Sequence, residues 1–217
     1  MSATAVFLTA LGLLIVAGLW WRGAAHRRRL PCPAWLAVLL ENPYMGTVAG
    51  AAMLLDRAEV APGMRVLHAG SGPGRLTIPA AERVGPSGEV VALDVQDAML
   101  ARVRSRASGR GLVNIRTVLS DIESSPQRPE VGAGGFNRAL LVTVLGEVPN
   151  RESGMRALHA ALAPGGLLSV TEVIPDPHYQ GRGTVRRLAE SAGFRLDRVF
   201  GTRLAFTMNF RKPTGSP

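Results

Sequence analysis

Cysteine is almost missing from this chain: Cys32 is the only one in 217 residues. A single thiol excludes an intrachain disulfide and a cysteine-built zinc cluster. Histidine is also sparse. Its four copies are scattered without metal-ligand spacing, so no metal is expected. Lysine occurs once, as Lys212, so the formal charge of +9 rests almost wholly on arginine. No acidic residue precedes Glu41, and no charge of either sign occurs from Ala3 to Trp21. Aromatic residues make up 5%, which leaves few rings for base stacking.

The uncharged run Ala3–Trp21 (ATAVFLTALGLLIVAGLWW) has no polar face. As a helix of about 1.5 Å per residue it would span roughly 28 Å, close to the hydrocarbon thickness of a bilayer. Trp20 and Trp21 close it, and Arg22, Arg27, Arg28 and Arg29 follow. Charge after an apolar core, rather than before it, reads as an uncleaved anchor and not as a signal peptide. The positive-inside rule then puts the N-terminus outside and everything from residue 22 onward in the cytoplasm. The expected organisation is an anchor over 1–21, a basic juxtamembrane segment and helical lead-in over 22–60, and a catalytic domain over 61–213. Within the lead-in, residues 34–40 (AWLAVLL) suit core packing or a membrane surface, and 46–58 reads as a capping helix.

From Met64 onward, apolar strands alternate with helix-forming stretches. The strands are expected at 65–69, 90–94, 115–119, 138–143 and 167–172, with a closing antiparallel pair at 195–200 and 204–210. Helices are expected at 75–84, 97–108, 151–162 and 184–192. That alternation predicts an α/β domain, a mostly parallel sheet with helices on both faces.

The stretch Val66–Gly74 (VLHAGSGPG) runs from the first strand into a glycine turn and a helix. Such a turn at the carboxyl edge of a parallel sheet makes a nucleotide site. A dinucleotide fingerprint, GxGxxG, needs its third glycine at position 75, which is Arg75.

PGMRVLHAGSGPGRLT, VVALDVQDAML, FNRALLVTVLGEVP and LAPGGLLSVTEV follow one another in order. Together they resemble class I S-adenosylmethionine (AdoMet) methyltransferases, closest to the small bacterial group related to the ubiquinone/menaquinone C-methyltransferases. The resemblance covers about residues 60–210. It implies a Rossmann-like seven-stranded sheet with its last strand antiparallel, AdoMet as cofactor and S-adenosylhomocysteine as product. It also implies roles for particular positions. Gly70, Ser71, Gly72 and Gly74 form the loop beside the methionine and ribose. Asp94 accepts the ribose hydroxyls, and Val95 packs on the adenine. Asp121, with Ile122 after it, presents an acceptor to the adenine amino group or, alternatively, caps a helix. Val142 and Thr143 end the fourth strand beneath the sulfonium. His68 stands where the family usually has an acid. A neutral imidazole still accepts one hydrogen bond and a protonated one does not, so binding is expected to weaken at low pH.

A proton acceptor for methyl transfer belongs at the carboxyl ends of strands four and five. The candidates there are Glu147 and His178, with Glu172, Asp176 and Tyr179 beside them. For Glu147 a capping role, and for His178 and Tyr179 simple loop ordering, stand as alternatives.

Three functions follow. The first is an enzyme held on the bacterial inner membrane, methylating a small-molecule or lipid acceptor. The second is a non-catalytic AdoMet-binding membrane factor. The third is a nucleic-acid methyltransferase, motivated by the +9 charge alone. Against the third, Thr143–Glu147 holds no Asn-Pro-Pro-Tyr type sequence, and Asn42-Pro43-Tyr44 precedes the glycine loop.

Overall fold

The computed structural model describes residues 50–174 and 176–215. The anchor expected over Ala3–Trp21, the basic cluster and the lead-in up to residue 49 lie outside the described residues. Among the described residues, no helix is long and apolar enough to cross a membrane.

The chain begins with helix α1 (Ala51–Arg57) and continues β1 (Arg65–Ala69), α2 (Thr77–Val84), β2 (Glu89–Asp94), α3 (Asp97–Ser108) and β3 (Ile115–Leu119). It then runs through a 3-10 turn (Ser125–Gln127), β4 (Phe136–Val142), α4 (Arg151–Ala161), β5 (Leu162–Val173), α5 (Arg182–Ser191), β6 (Arg195–Gly201) and β7 (Ala205–Arg211). The seven strands form one sheet in the order β3-β2-β1-β4-β5-β7-β6. β1 to β5 are parallel. β7 lies between β5 and β6 and is antiparallel to both, as the closing pair predicted.

Both faces of the sheet are covered, which is why its central strands are almost continuously apolar. Successive side chains point to opposite faces. Leu67, Ala69, Leu141 and Val170 meet Met155 and Leu158 of α4 and Val185 and Ala189 of α5 on one face. Val66, Val90, Leu140 and Val173 meet Leu54 and Leu55 of α1 and Ala80, Ala81 and Val84 of α2 on the other. α1 is therefore part of the core. Leu100 and Val103 of α3 pack on Ala92 of β2.

Some boundaries differ from expectation for physical reasons. α2 starts at Thr77 rather than Arg75, because Gly74 donates to the Ser71 carbonyl and closes a turn first. The strand expected at 167–172 begins earlier and takes in Pro164-Gly165-Gly166. β5 starts at Leu162, paired with Phe136, and a register shift between Phe136 and Arg138 absorbs the extra residues. β4 accordingly begins at Phe136, and it ends at Val142. α4 starts where Asn150 accepts the Ser153 amide at 3.0 Å, a side-chain cap on the helix N-terminus.

The strand order reverses between β1 and β4. In open α/β sheets the crevice outside the carboxyl ends at such a switch point is where ligands bind.

Candidate functional site

The glycine loop leaves β1 at that crevice and is fixed from β2. The amides of Gly70 and Ser71 both donate to the Leu93 carbonyl, at 2.8 and 2.9 Å. The Gly72 amide donates to Asp94 Oδ2 at 2.8 Å, and the Gln96 amide to Asp94 Oδ1 at 2.9 Å. Asp94 thus ties the loop to the end of β2. Burial pushes its carboxyl up from the ordinary value, and the amides of Gln96, Gly72 and Val95 oppose that shift by bonding the ionised form. Each carboxylate oxygen has a further lone-pair site for a ligand hydroxyl.

Two glycines of the loop do different work. Gly70 has φ +71, and a Cβ there would collide with the Val144 side chain. Gly72 has φ +53, and a Cβ there would meet no protein atom within 4 Å. The backbone at Gly72 thus borders open space, beside a carboxylate and beside Val95, which is 52% exposed. Next to this opening, Ser120 Oγ is buried and has no hydrogen-bond partner among the described residues.

His68 points to the helix side of the loop. Its Nδ1 lies 2.8 Å from Thr77 Oγ1, which joins β1 to the first turn of α2. Complete burial, reinforced by the Arg75 charge, lowers the imidazole pKa to about 3. His68 is therefore neutral across the physiological range, and the low-pH weakening expected from the sequence moves to that much lower threshold. The unfolded chain protonates near 6.5. Stability contributed by neutral His68 is thus complete above 6.5 and lost as pH falls toward about 3. His68→Asn is expected to flatten that acid-side decline, read as Tm against pH; an unchanged slope would remove His68 from it.

Asp121 follows β3 and closes the turn after it. Its Oδ1 accepts the Ser124 amide at 2.6 Å, and its Oδ2 accepts the Ser124 hydroxyl at 3.1 Å. Ile122 is buried in the core. At the end of β4, Val142 and Thr143 are half-buried. Thr143 has φ +54, a left-handed conformation uncommon for a β-branched residue. It is held there by its amide to the Thr171 carbonyl (2.9 Å) and its hydroxyl to the Val142 carbonyl (2.8 Å). Such strain is characteristic of functional sites. Nothing in the residue type announces it.

Beyond β4, Arg151 donates to the carbonyls of Leu145 and Gly146, both at 3.2 Å. A Cβ on Gly146 would collide with the His178 backbone, so the segment after β5 packs directly on the segment after β4. His178 is buried, its amide bonded to Asp176 Oδ1 at 2.6 Å and its carbonyl to Gln180 Nε2 at 2.7 Å. His178 is thus packed into the loop rather than open to solvent. Tyr179 donates to the Arg203 carbonyl, again a structural contact. Glu147 is half-buried beside the same cluster.

Glu172 is the residue the sequence ranked too low. It is 1% exposed at the end of β5, with Oε2 accepting the Gln180 amide at 3.0 Å and Oε1 buried without a partner among the described residues. Burial raises its pKa from 4.5 to about 8. The Asp176 and Glu147 charges add to the rise, and the Gln180 amide and Arg151 oppose it. An acid in the otherwise uncharged run LLSVTEV was the available signal.

A parallel sheet reversing at β1/β4, a glycine loop tied to an acid at the end of β2, and open space beside both define a Rossmann-like nucleotide-binding domain. The sequence profile of a family described as "Methyltransferase domain" matches residues 61–191. The chain belongs to that methyltransferase-domain family, and AdoMet is the cofactor this membership assigns. It is 34% identical over 119 residues to a ubiquinone/menaquinone biosynthesis C-methyltransferase of Idiomarina loihiensis, covering 54% of this chain and 46% of the relative. It is 32% identical over 124 residues to the nocamycin O-methyltransferase of Saccharothrix syringae, covering 57% and 43%. These matches span less than half the length of the relatives. A crystal structure of a SAM-dependent methyltransferase from Aquifex aeolicus superimposes with a TM-score of 0.75 at 19% identity, over 84% of this chain and all of that one, which shows a shared fold.

Proposed function

We propose that this protein transfers the methyl group of AdoMet to a lipophilic acceptor at a membrane. The carrying observation is the opening at Gly72. The loop backbone is bare there, the Asp94 carboxylate is fixed by two amides, and Val95 is half exposed. A carboxylate suits the ribose hydroxyls, and an exposed apolar side chain suits a flat base.

Gly70, Ser71, Gly72 and Gly74 line the methionine and ribose side in this reading, and Val95 the adenine. Asp121 offers its remaining lone pairs to the adenine amino group, and the backbone at Ile122 adjoins it. Val142 and Thr143 close the floor of the crevice, and His68 holds the loop without carrying charge. AdoMet supplies an electrophilic methyl group for in-line displacement. The chain contributes alignment of the acceptor and, where that acceptor must lose a proton, a carboxylate. Glu147 is the better placed for that task, since His178 is buried against Gly146.

The acceptor class rests on the sequence. The run Ala3–Trp21 and the arginines after it suit a single-pass anchor in a bacterial inner membrane, N-terminus outside. Tethering raises the local concentration of a lipid-soluble acceptor. A quinone or its precursor, an isoprenoid or a phospholipid amine fits. The C-methyltransferase relatives support the first of these.

Incubation of the full chain with methyl-labelled AdoMet and a total lipid extract tests this reading. Label is expected in the organic phase. Label recovered only in unreacted cofactor would support a non-catalytic AdoMet-binding factor, and label in added RNA or DNA would support nucleic-acid methylation.

A further inference from the structure

The sheet edge that carries the glycine loop also carries an apolar and basic tip that the methyltransferase reading does not use. β7 is antiparallel to β5, so the β6–β7 hairpin turn lies beside the carboxyl end of β5. There the Ile174 amide donates to the Leu204 carbonyl at 2.7 Å. Leu204 is 58% exposed and Ile174 39% exposed, and Arg203 between the strands is exposed as well.

The tip is rigidly built. The Thr202 amide bonds the Ala205 carbonyl at 2.8 Å, and Thr202 Oγ1 accepts the amides of Leu204 and Ala205. Arg182 Nη2 donates to the carbonyls of Gly201 and Thr202, and Tyr179 holds the Arg203 carbonyl. A leucine kept exposed on a braced turn is not explained by packing.

The surroundings are basic. Arg186 and Arg187 are exposed on α5, the helix whose first residue, Arg182, braces the turn. Glu190 on the same helix is paired with Arg186, which leaves Arg187 and Arg203 as the exposed positive charges nearest the turn. The face therefore complements an anionic surface.

The chain enters the domain from this edge. α1 runs along β7: Glu59 binds Arg211, the Arg57 carbonyl accepts from Asn209, and the Arg57 guanidinium reaches Thr207. Going back along the chain thus climbs β7 toward Ala205. Ala51 shares its apolar cluster with Ala205 and Val173 at the carboxyl end of β5. The described chain therefore begins, at Gly50, on the crevice side.

We infer that the β6–β7 turn, with Leu204 and Ile174 as wedge and Arg203 as headgroup contact, docks this edge of the sheet on an anionic phospholipid surface. Docking there seats the crevice against the bilayer, so an acceptor dissolved in it reaches the ends of β4 and β5 without crossing water. The choice of occupant rests on the membrane reading of Ala3–Trp21.

The test labels the full chain with an environment-sensitive fluorophore at a single cysteine. Cys32→Ser removes the native thiol, and Leu204→Cys or Val113→Cys supplies the site. Val113 is 93% exposed ahead of β3, at the opposite edge of the sheet. Each protein is mixed with phosphatidylcholine vesicles, with and without phosphatidylglycerol, and vesicle association is read separately by co-flotation. Emission at 204 is expected to shift blue and rise several-fold with phosphatidylglycerol, while the label at 113 stays unchanged. Arg203→Glu is expected to remove most of the rise. A protein that co-floats while 204 behaves like 113 overturns the docking and leaves methyl transfer untouched. A protein that neither floats nor responds overturns both docking and tether. The second result also removes the basis for a lipid-soluble acceptor, whereas the first leaves the label expected in the lipid extract unaltered.

Discussion

Asp94→Ala is expected to lower AdoMet affinity on the order of 100-fold or more. Two hydrogen bonds to an ionised carboxylate contribute about 1.5–3 kcal/mol each, and each 1.4 kcal/mol is about tenfold in affinity. The substitution acts twice. It removes the acceptor facing the ribose side, and it releases the Gly72 and Gln96 amides that shape the loop. The fold itself is expected to persist, because Gly70 and Ser71 remain bonded to the Leu93 carbonyl and the strands pair independently of the side chain. Calorimetric titration beside a thermal melt separates the two: affinity should collapse while the melt shows one cooperative transition. Affinity within a few-fold of the unaltered protein would remove Asp94 from the site.

Glu172→Gln is expected to stabilise the protein at alkaline pH and leave it nearly unchanged in mild acid. The folded state raises the Glu172 pKa from 4.5 to about 8. It therefore favours the protonated form, whose contribution is full below 4.5, declines through the window up to about 8, and is gone above it. At about 1.4 kcal/mol per unit the loss amounts to a few kcal/mol. Glutamine keeps the shape, accepts the Gln180 amide, and carries no charge into a pocket that also feels Asp176, Glu147, Tyr179 and Arg151. Tm measured against pH should fall between 6.5 and about 8 in the unaltered protein, where His68 adds no slope, and stay flat there in the variant. Parallel profiles would mean that Glu172 is ionised in the fold or solvated. This slope is opposite in sign to that of His68, so the two residues can be told apart.

Local patterning made much of the fold legible. α3 and β3 begin and end where helix-forming and β-branched residues said they would, since Asp97–Ser108 and Ile115–Leu119 each satisfy a local pattern alone. The Pro-Gly-Gly at 164–166 misled because punctuation residues report local geometry. Its incorporation into β5 depends on a register shift against β4, far away in sequence. The glycine loop was legible as a motif, but the division of labour between Gly70, filled by Val144, and Gly72, open, was not.

The catalytic side was less legible for the same reason. His178 looks reactive in sequence because of its ordinary pKa, yet the packing of its backbone on Gly146 decides its position. Glu172 looks like the polar end of a strand, and only the folding-back of Gln180 buries it. The left-handed Thr143 and the side-by-side placement of Ile174 and Leu204 are likewise consequences of tertiary contact.

The claim that the rest depends on is that the loop at Gly72 and the carboxylate of Asp94 form a working AdoMet site despite His68. Calorimetric titration of the full chain with AdoMet tests it directly. The account predicts a saturable heat with one site per chain, held to well below neutral pH because His68 stays uncharged. No heat at millimolar AdoMet would contradict it.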